Sequence, residues 1–290
     1  MNNYTVFDAH CDTLCQILDK GADISHNTYN IDKKRMMEYD GYTQVFACFI
    51  APEYYNDPKA RFDALYKTYL AQDFSGINPI LSLEGGEVIT SLEDIDYLYS
   101  CGVRAVALTW NNTNMLASGV MCEDTGLTPF GKSAVRRMED LGILVDVSHL
   151  SDKSFYDVAS IATRPIIATH SNSRVICPHP RNLTDDMFKI ICESGGCAGI
   201  NLYPVFISEK QRCDENDILL HIEHFIELGG IDSLGIGADF DGTDNNLPVG
   251  ISGCEGLYKV FDKMCSVGMS DDEIDKISHR NFERIFGEVS

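Results

Sequence analysis

The fold class turns on two stretches of sequence, Gly142-Ile143-Leu144-Val145-Asp146-Val147-Ser148-His149 and Pro165-Ile166-Ile167-Ala168-Thr169-His170-Ser171. Each is a short run rich in β-branched residues, apolar without alternation, as strands buried on both faces are. Before the first, Phe130 to Leu141 reads as a helix ending at Gly142, a C-terminal signal. Between the two, Ser151 to Ile161 reads as a helix opened by Ser151-Asp152. The same period extends in both directions. Upstream lie the runs Tyr4 to Phe7, Gln44 to Ile50, Pro79 to Leu83 and Val103 to Thr109, with helices expected at Pro58 to Phe74 and Ser91 to Ser100. Downstream lie Cys197 to Leu202 and Leu234 to Ala238, with helices at Thr184 to Glu193 and Asp217 to Leu228. Eight strands alternating with helices predict an α/β protein, a (β/α)8 TIM barrel, with a doubly wound open sheet as the competing arrangement.

The tail from Ser270 to Gly287 reads as a further helix, expected outside the barrel. No linker, repeat or low-complexity segment interrupts the chain, so residues 1–290 are expected to form one domain, with 270–287 as its outer helix. The stretches Asp19 to Gly41 and Asn111 to Thr128 are long for barrel loops, and long loops tend to carry function.

Composition narrows the function. The chain has 290 residues, 44% of them hydrophobic, with 23 Lys and Arg against 44 Asp and Glu, a net charge of −21. Such a field repels phosphate backbones and anionic lipid, which argues against a nucleic-acid or membrane partner. There are 11 cysteines, an odd number with no Cys-x-x-Cys, which suits reduced thiols in a cytoplasm. The segment from Met1 to Val6 has no basic or apolar leader pattern, and no apolar run reaches membrane-spanning length.

In a barrel of this kind the C-terminal strand ends converge on one mouth. The first run leads into Asp8-Ala9-His10-Cys11-Asp12, the third into Glu84-Gly85-Gly86, the fifth into Ser148-His149, the sixth into His170-Ser171 and the eighth into Asp239-Phe240-Asp241-Gly242. His10 and Asp12, two apart on an extended chain, point the same way and can grip one cation. His149 and His170, from neighbouring strands, can grip another, and the two oxygens of Glu84 can bridge both. Nitrogen and carboxylate ligands of this type suit Zn²⁺ and tolerate Mn²⁺ or Co²⁺. Two ions about 3.5–4 Å apart would hold a hydroxide and polarise a carbonyl, and Asp239 could carry the proton to the leaving group.

The motifs His10-Cys11-Asp12, Leu83-Glu84-Gly85-Gly86, Asp146-Val147-Ser148-His149, Thr169-His170-Ser171-Asn172, Arg181-Asn182-Leu183-Thr184-Asp185 and Gly237-Ala238-Asp239-Phe240-Asp241-Gly242 resemble, in order and spacing, those of the membrane dipeptidase (renal dipeptidase) family of zinc peptidases. The tail Asn281 to Phe286 resembles that family's last helix. The resemblance implies a metal-dependent hydrolase barrel holding two zinc ions per chain. It implies His10 and Asp12 on one ion, His149 and His170 on the other, Glu84 bridging, and Asp239 at the metal site as acid and base. It also implies Arg181 as the group that binds the C-terminal carboxylate of a free dipeptide, L-D dipeptides included. A planar guanidinium fork suits that task; the competing reading of Arg181 is an ion pair with Asp185 or Asp186.

Two departures stand out. Where mammalian members carry a His after the fourth strand, this chain has Trp110, then Asn111-Asn112. Trp110, Asn111 and Tyr203 are accordingly expected to touch the substrate, with an asparagine supplying the missing polar group. No secretion or anchor pattern of the family's kind is read in these residues, so a cytosolic bacterial-type relative is expected. The competing functions are another amide, ester or lactone hydrolase on the same barrel, and a non-catalytic metal-binding barrel. A homodimer is the base-rate expectation for oligomeric state.

Overall fold

The computed structural model of the chain describes residues 2–210 and 212–288, with side chains described from Tyr4 onward. Its strands are β1 (Asn2–Cys11), β2 (Tyr39–Phe49), β3 (Asn78–Glu84), β4 (Val103–Ala107), β5 (Leu144–Asp146), β6 (Ile167–Ala168), β7 (Cys197–Ile200) and β8 (Leu234–Ile236). They form a closed barrel in sequence order, every neighbouring pair parallel, with β1 closing onto β8. This is the (β/α)8 barrel rather than an open sheet.

Helices α1 (Thr13–Lys20) and α2 (Lys33–Met36) connect β1 to β2; α3 (Pro58–Leu70), α4 (Leu92–Ser100), α5 (Pro129–Leu141), α6 (Asp152–Ala159) and α7 (Asp185–Glu193) follow one per connection; α8 (Pro204–Ile207) and α9 (Glu215–Glu227) precede β8. After β8 come α10 (Tyr258–Ser266), α11 (Asp271–Asp275), a π turn over Lys276–Arg280 and α12 (Asn281–Gly287). Several helices begin where side-chain caps dictate. Thr128, Ser151, Thr184 and Ser270 each accept a hydrogen bond from a first-turn backbone N–H. The helix expected from Asp217 starts earlier, because Asp214 is the cap and Asp217 its capping-box partner. Among the described residues no helix is long and apolar enough to cross a membrane.

The barrel wall separates two apolar clusters. Outward side chains such as Val6, Phe46, Val106, Val145, Ala198 and Ile236 join the main cluster beneath the helices. Phe7, Ala9, Val45, Ala105, Leu144, Ile167 and Cys197 form a second cluster, which strands on all sides of the barrel can share only in its interior. Phe282, Ile285 and Phe286 of α12 belong to this interior cluster, and Phe282 stacks on Phe7 at 5.5 Å between centroids. Asn281 secures the helix by donating to the carbonyls of Ile231 and Leu234 (2.8 and 2.7 Å) at the start of β8. The last helix therefore floors the barrel at the N-terminal ends of the strands and leaves the opposite mouth open.

Candidate metal centre

The local folding of β1 aims the first ligand candidates. Phe7 and Ala9 face the barrel interior, so strict alternation would turn Cys11 inward and His10 outward. The β1–β2 register shifts between Asp8 and Cys11. That irregularity puts Cys11 among the outer cluster and frees His10 and Asp12 for the mouth, as bulges beside sites commonly do. The other contributors are a strand end, Glu84, and residues just past strand ends, His149, His170 and Asp239. His149, Asp239 and Asp241 adopt left-handed backbone conformations (φ 70°, 62° and 67°), which side chains other than glycine rarely take. Backbone strain thus collects where β5 and β8 deliver their side chains.

Glycines make the close approach possible. A Cβ on Gly199 or Gly237, inward positions of β7 and just past β8, would lie 2.1 or 1.7 Å from the carbonyl oxygen of Thr169. Any side chain there would displace the segment that carries His170.

Three ligand groups result, each with its donor atoms within 4.8 Å of one another: His10 with Asp12 and Glu84; Glu84 with His149 and His170; His10 with His170 and Asp239. All six residues are buried. His10 Nε2 lies 3.6 Å from Asp12, 3.4 Å from Glu84 Oε2 and 3.9 Å from Asp239. Glu84 Oε1 lies 2.9 Å from His149 Nε2 and 3.6 Å from His170 Nε2. Glu84 thus presents one oxygen to each side.

Proton positions test whether a cation fits. Thr169 Oγ1 donates to Asp146 Oδ2 (2.5 Å), so it accepts the proton of His170 Nδ1 (2.8 Å). His149 Nδ1 donates to Asn111 Oδ1 (2.8 Å). Both imidazoles therefore turn unprotonated Nε2 atoms toward each other, 2.9 Å apart, against a carboxylate oxygen. His10 Nε2 and Asp12 Oδ1 are buried without hydrogen-bond partners. Lone pairs and carboxylates facing one another this closely repel in the absence of positive charge. The donor set fits divalent cations.

The cluster calls for positive charge: against the effect of burial, the Glu84 and Asp12 carboxylates hold His10 protonated, well above the usual imidazole range. Burial, aided by the Arg181 guanidinium, holds His149 down to about 4 and His170 well below the usual imidazole range, so both stay in the neutral form that ligates metal. Burial pushes Glu84 upward, but His10 and His149 outweigh it and hold the carboxylate ionised well below its usual range. Burial raises Asp239 to about 7, with Asp12 and Glu84 adding to the rise against the pull of His10. Asn201 Nδ2 fixes the Asp239 carboxylate, donating to Oδ2 at 2.9 Å.

The centre opens onto a cavity of about 470 Å³ whose walls include Phe49, Trp110, Asn111, Tyr203, Glu84 and Asp239. Trp110 lies between Phe49 and His149, with centroids 5.4 and 6.1 Å away. Asn111, expected at the substrate, lines the cavity, but its amide oxygen is engaged by His149. Arg181 is buried beside the centre rather than on the surface; it donates to the His170 carbonyl (3.4 Å), and its Nε has no partner. Among the described residues it makes no ion pair with Asp185 or Asp186. Asp185 pairs instead with His224 (2.7 Å), and Asp186 accepts from the Tyr156 hydroxyl. Burial lowers the Arg181 guanidinium to about 10.

Sequence reasoning missed the residues behind the ligands. Asp146 also accepts from the backbone N–H of Ser148 and Thr169 (2.9 and 3.0 Å), tying the ends of β5 and β6 together. Asp8 does the same between β1 and β8, accepting from Ala238 N at 2.8 Å. A carboxylate inside an apolar strand run was the available signal in both cases.

A closed (β/α)8 barrel with a nitrogen–carboxylate cluster at the C-terminal ends of its strands defines a metal-dependent hydrolase. The chain belongs to the membrane dipeptidase family, peptidase family M19, whose model matches residues 66–290. It is 35% identical over 207 residues to an uncharacterized protein from the pqqA 5′ region of Klebsiella pneumoniae, covering 68% of this chain and 76% of that one. It is 28% identical over 289 residues to an uncharacterized dipeptidase of Schizosaccharomyces pombe, covering 94% of this chain and 67% of the relative. Among solved structures it is similar to dipeptidase AC, a metallopeptidase of the same family, with a TM-score of 0.91, 26% identity and 99% of both chains covered.

Proposed function

We propose that this protein is a binuclear zinc dipeptidase that cleaves the peptide bond of free dipeptides, L-D dipeptides included. The observation that carries the proposal is the shared carboxylate, Glu84, with one oxygen toward His10 and the other toward His149 and His170. In this assignment His10 and Asp12 would hold one ion and His149 and His170 the other, with Glu84 offering an oxygen to each. Two zinc ions so held would polarise the scissile carbonyl and make water nucleophilic near neutral pH.

The chain's own residues do the rest. Asp239, held by Asn201, takes a proton from the attacking water and returns it to the leaving amine. Arg181, always cationic at working pH, receives the substrate's C-terminal carboxylate with its planar fork. Trp110 and Tyr203 wall the cavity and limit it to small peptides. We assign residues 1–290 to one catalytic domain. The cysteines of the described residues are all free, which suits a reducing cytoplasm.

The test is release of amino acids from a panel of L-L and L-D dipeptides, with zinc supplied and with zinc chelated. Zinc-dependent cleavage of dipeptides is expected. A zinc-loaded protein that cleaves esters or lactones but no dipeptide would overturn the substrate assignment.

A further inference from the structure

We propose that Asn111 is a positioning residue for the cation site formed by Glu84, His149 and His170, a role that rests on the metal reading above. Its carboxamide oxygen keeps the proton of His149 on Nδ1 and so directs the Nε2 lone pair at the site.

His170 and His149 are oriented in different ways. The proton on His170 Nδ1 is held by Thr169 Oγ1, which is backed by the Asp146 carboxylate, all within the barrel wall. His149 has no such support. It stands just past β5 on a left-handed backbone, and its Nδ1 finds Asn111 Oδ1 at 2.8 Å. With the amide turned the other way, its NH₂ would face Nδ1, and the imidazole proton would move to Nε2, 2.9 Å from Glu84 Oε1, where it would displace a cation.

Backbone hydrogen bonds hold the two residues of this contact in place. Met121 N donates to the Asn111 carbonyl at 3.1 Å, and Val120 N donates to the His149 carbonyl at 2.9 Å. The same short segment therefore holds both partners. Gly119 packs so close to this turn that a Cβ would lie 2.4 Å from the Asn111 carbonyl carbon. Thr109 Oγ1 adds a bond to the His149 carbonyl (3.3 Å), and the Trp110 ring lies beside the imidazole. The Trp110-Asn111 pair that departs from the mammalian pattern thus braces the second imidazole. A neighbour that fixes the tautomer and ring orientation of a ligating histidine tunes its metal affinity.

The experiment is titration of metal-free protein with Zn²⁺ and with Co²⁺, reading stoichiometry, stepwise affinity and the Co²⁺ absorption spectrum. Wild type is expected to take up two cations. Asn111→Leu should weaken one of the two by about 10–100-fold, leave the other unchanged, and alter the Co²⁺ spectrum. Asn111→Asp, which restores an acceptor, should recover the affinity. Asn111→Ala, smaller and free of packing conflict, should match the leucine variant and replaces it if that variant does not fold. Thermal unfolding of the metal-free variants should stay close to that of wild type. Wild-type affinity at both sites in the leucine or alanine variant would overturn the proposal, as would an equal loss in the aspartate variant. A wild-type chain that takes up no cation would instead overturn the metal reading itself.

Discussion

Replacing Asp239 with asparagine removes a proton acceptor at nearly constant volume. Asp239 Oδ2 accepts from Asn201 Nδ2 at 2.9 Å, and an asparagine keeps that bond by presenting its own oxygen there. Its NH₂ then faces His10, whose Nε2 lies 3.9 Å from the other carboxylate oxygen. The backbone need not change, because asparagine tolerates the left-handed conformation (φ 62°) that Asp239 already has. What changes is proton exchange: a carboxylate beside the attacking water can accept a proton and return it, and an amide cannot. Loss of a general acid–base typically costs about 10²–10⁴ in rate, or about 3–5 kcal/mol of barrier. Steady-state kcat on a cleaved dipeptide should therefore fall about 100-fold or more, while elemental analysis of the same preparation shows an unchanged cation content. Turnover close to wild type would refute the acid–base role. Cation loss in step with activity would make Asp239 a ligand first and refute the division of labour.

Three further changes probe other links. Arg181→Ala should raise KM for free dipeptides much more than for their C-terminal amides; equal effects on both would rule out a carboxylate clamp. Gly237→Ala would set a methyl group 1.7 Å from the Thr169 carbonyl oxygen, so it should lower stability by about 1–3 kcal/mol or more and weaken cation binding through His170; a wild-type melting curve would contradict the packing argument. His221 is neutral in the fold, accepting from Ser173 N and donating to the Ile207 carbonyl, with burial lowering it to about 4. The unfolded chain, with an ordinary imidazole, binds the proton first. The stability this residue contributes above about pH 6.5 is therefore lost as pH falls toward 4, by about 3 kcal/mol in all. His221→Gln should flatten the denaturation midpoint across that window; an unchanged slope would refute the assignment.

The barrel was legible because each strand is an apolar run and most helices carry a polar cap. Two of the helices missed lack such signals, whereas the short α2 was missed although Asp32 caps it. Helix α1 follows β1 with only Asp12 between, and neither α1 nor α10 has a capping side chain. The tail helix was legible as a helix, but its place was not. Only the inward register of Phe7 and its neighbours shows that Phe282 and Phe286 belong under the barrel. At the site, the ligand candidates were readable as strand-end residues. Their supports were not. Asn111 reaches His149 across 38 residues and Asn201 reaches Asp239 across 38, contacts set by loop path and not by spacing. The irregularity in β1 that turns His10 inward leaves no mark in the sequence pattern either.

The central claim is that Glu84 joins two cation sites. Elemental analysis of zinc-saturated, dialysed wild type and Glu84→Gln tests it most directly. Two zinc ions per chain in wild type and weakened retention of both in the variant are expected, since one oxygen serves each side. Two tightly held ions in the variant, or none in wild type even with zinc in excess, would contradict the shared centre.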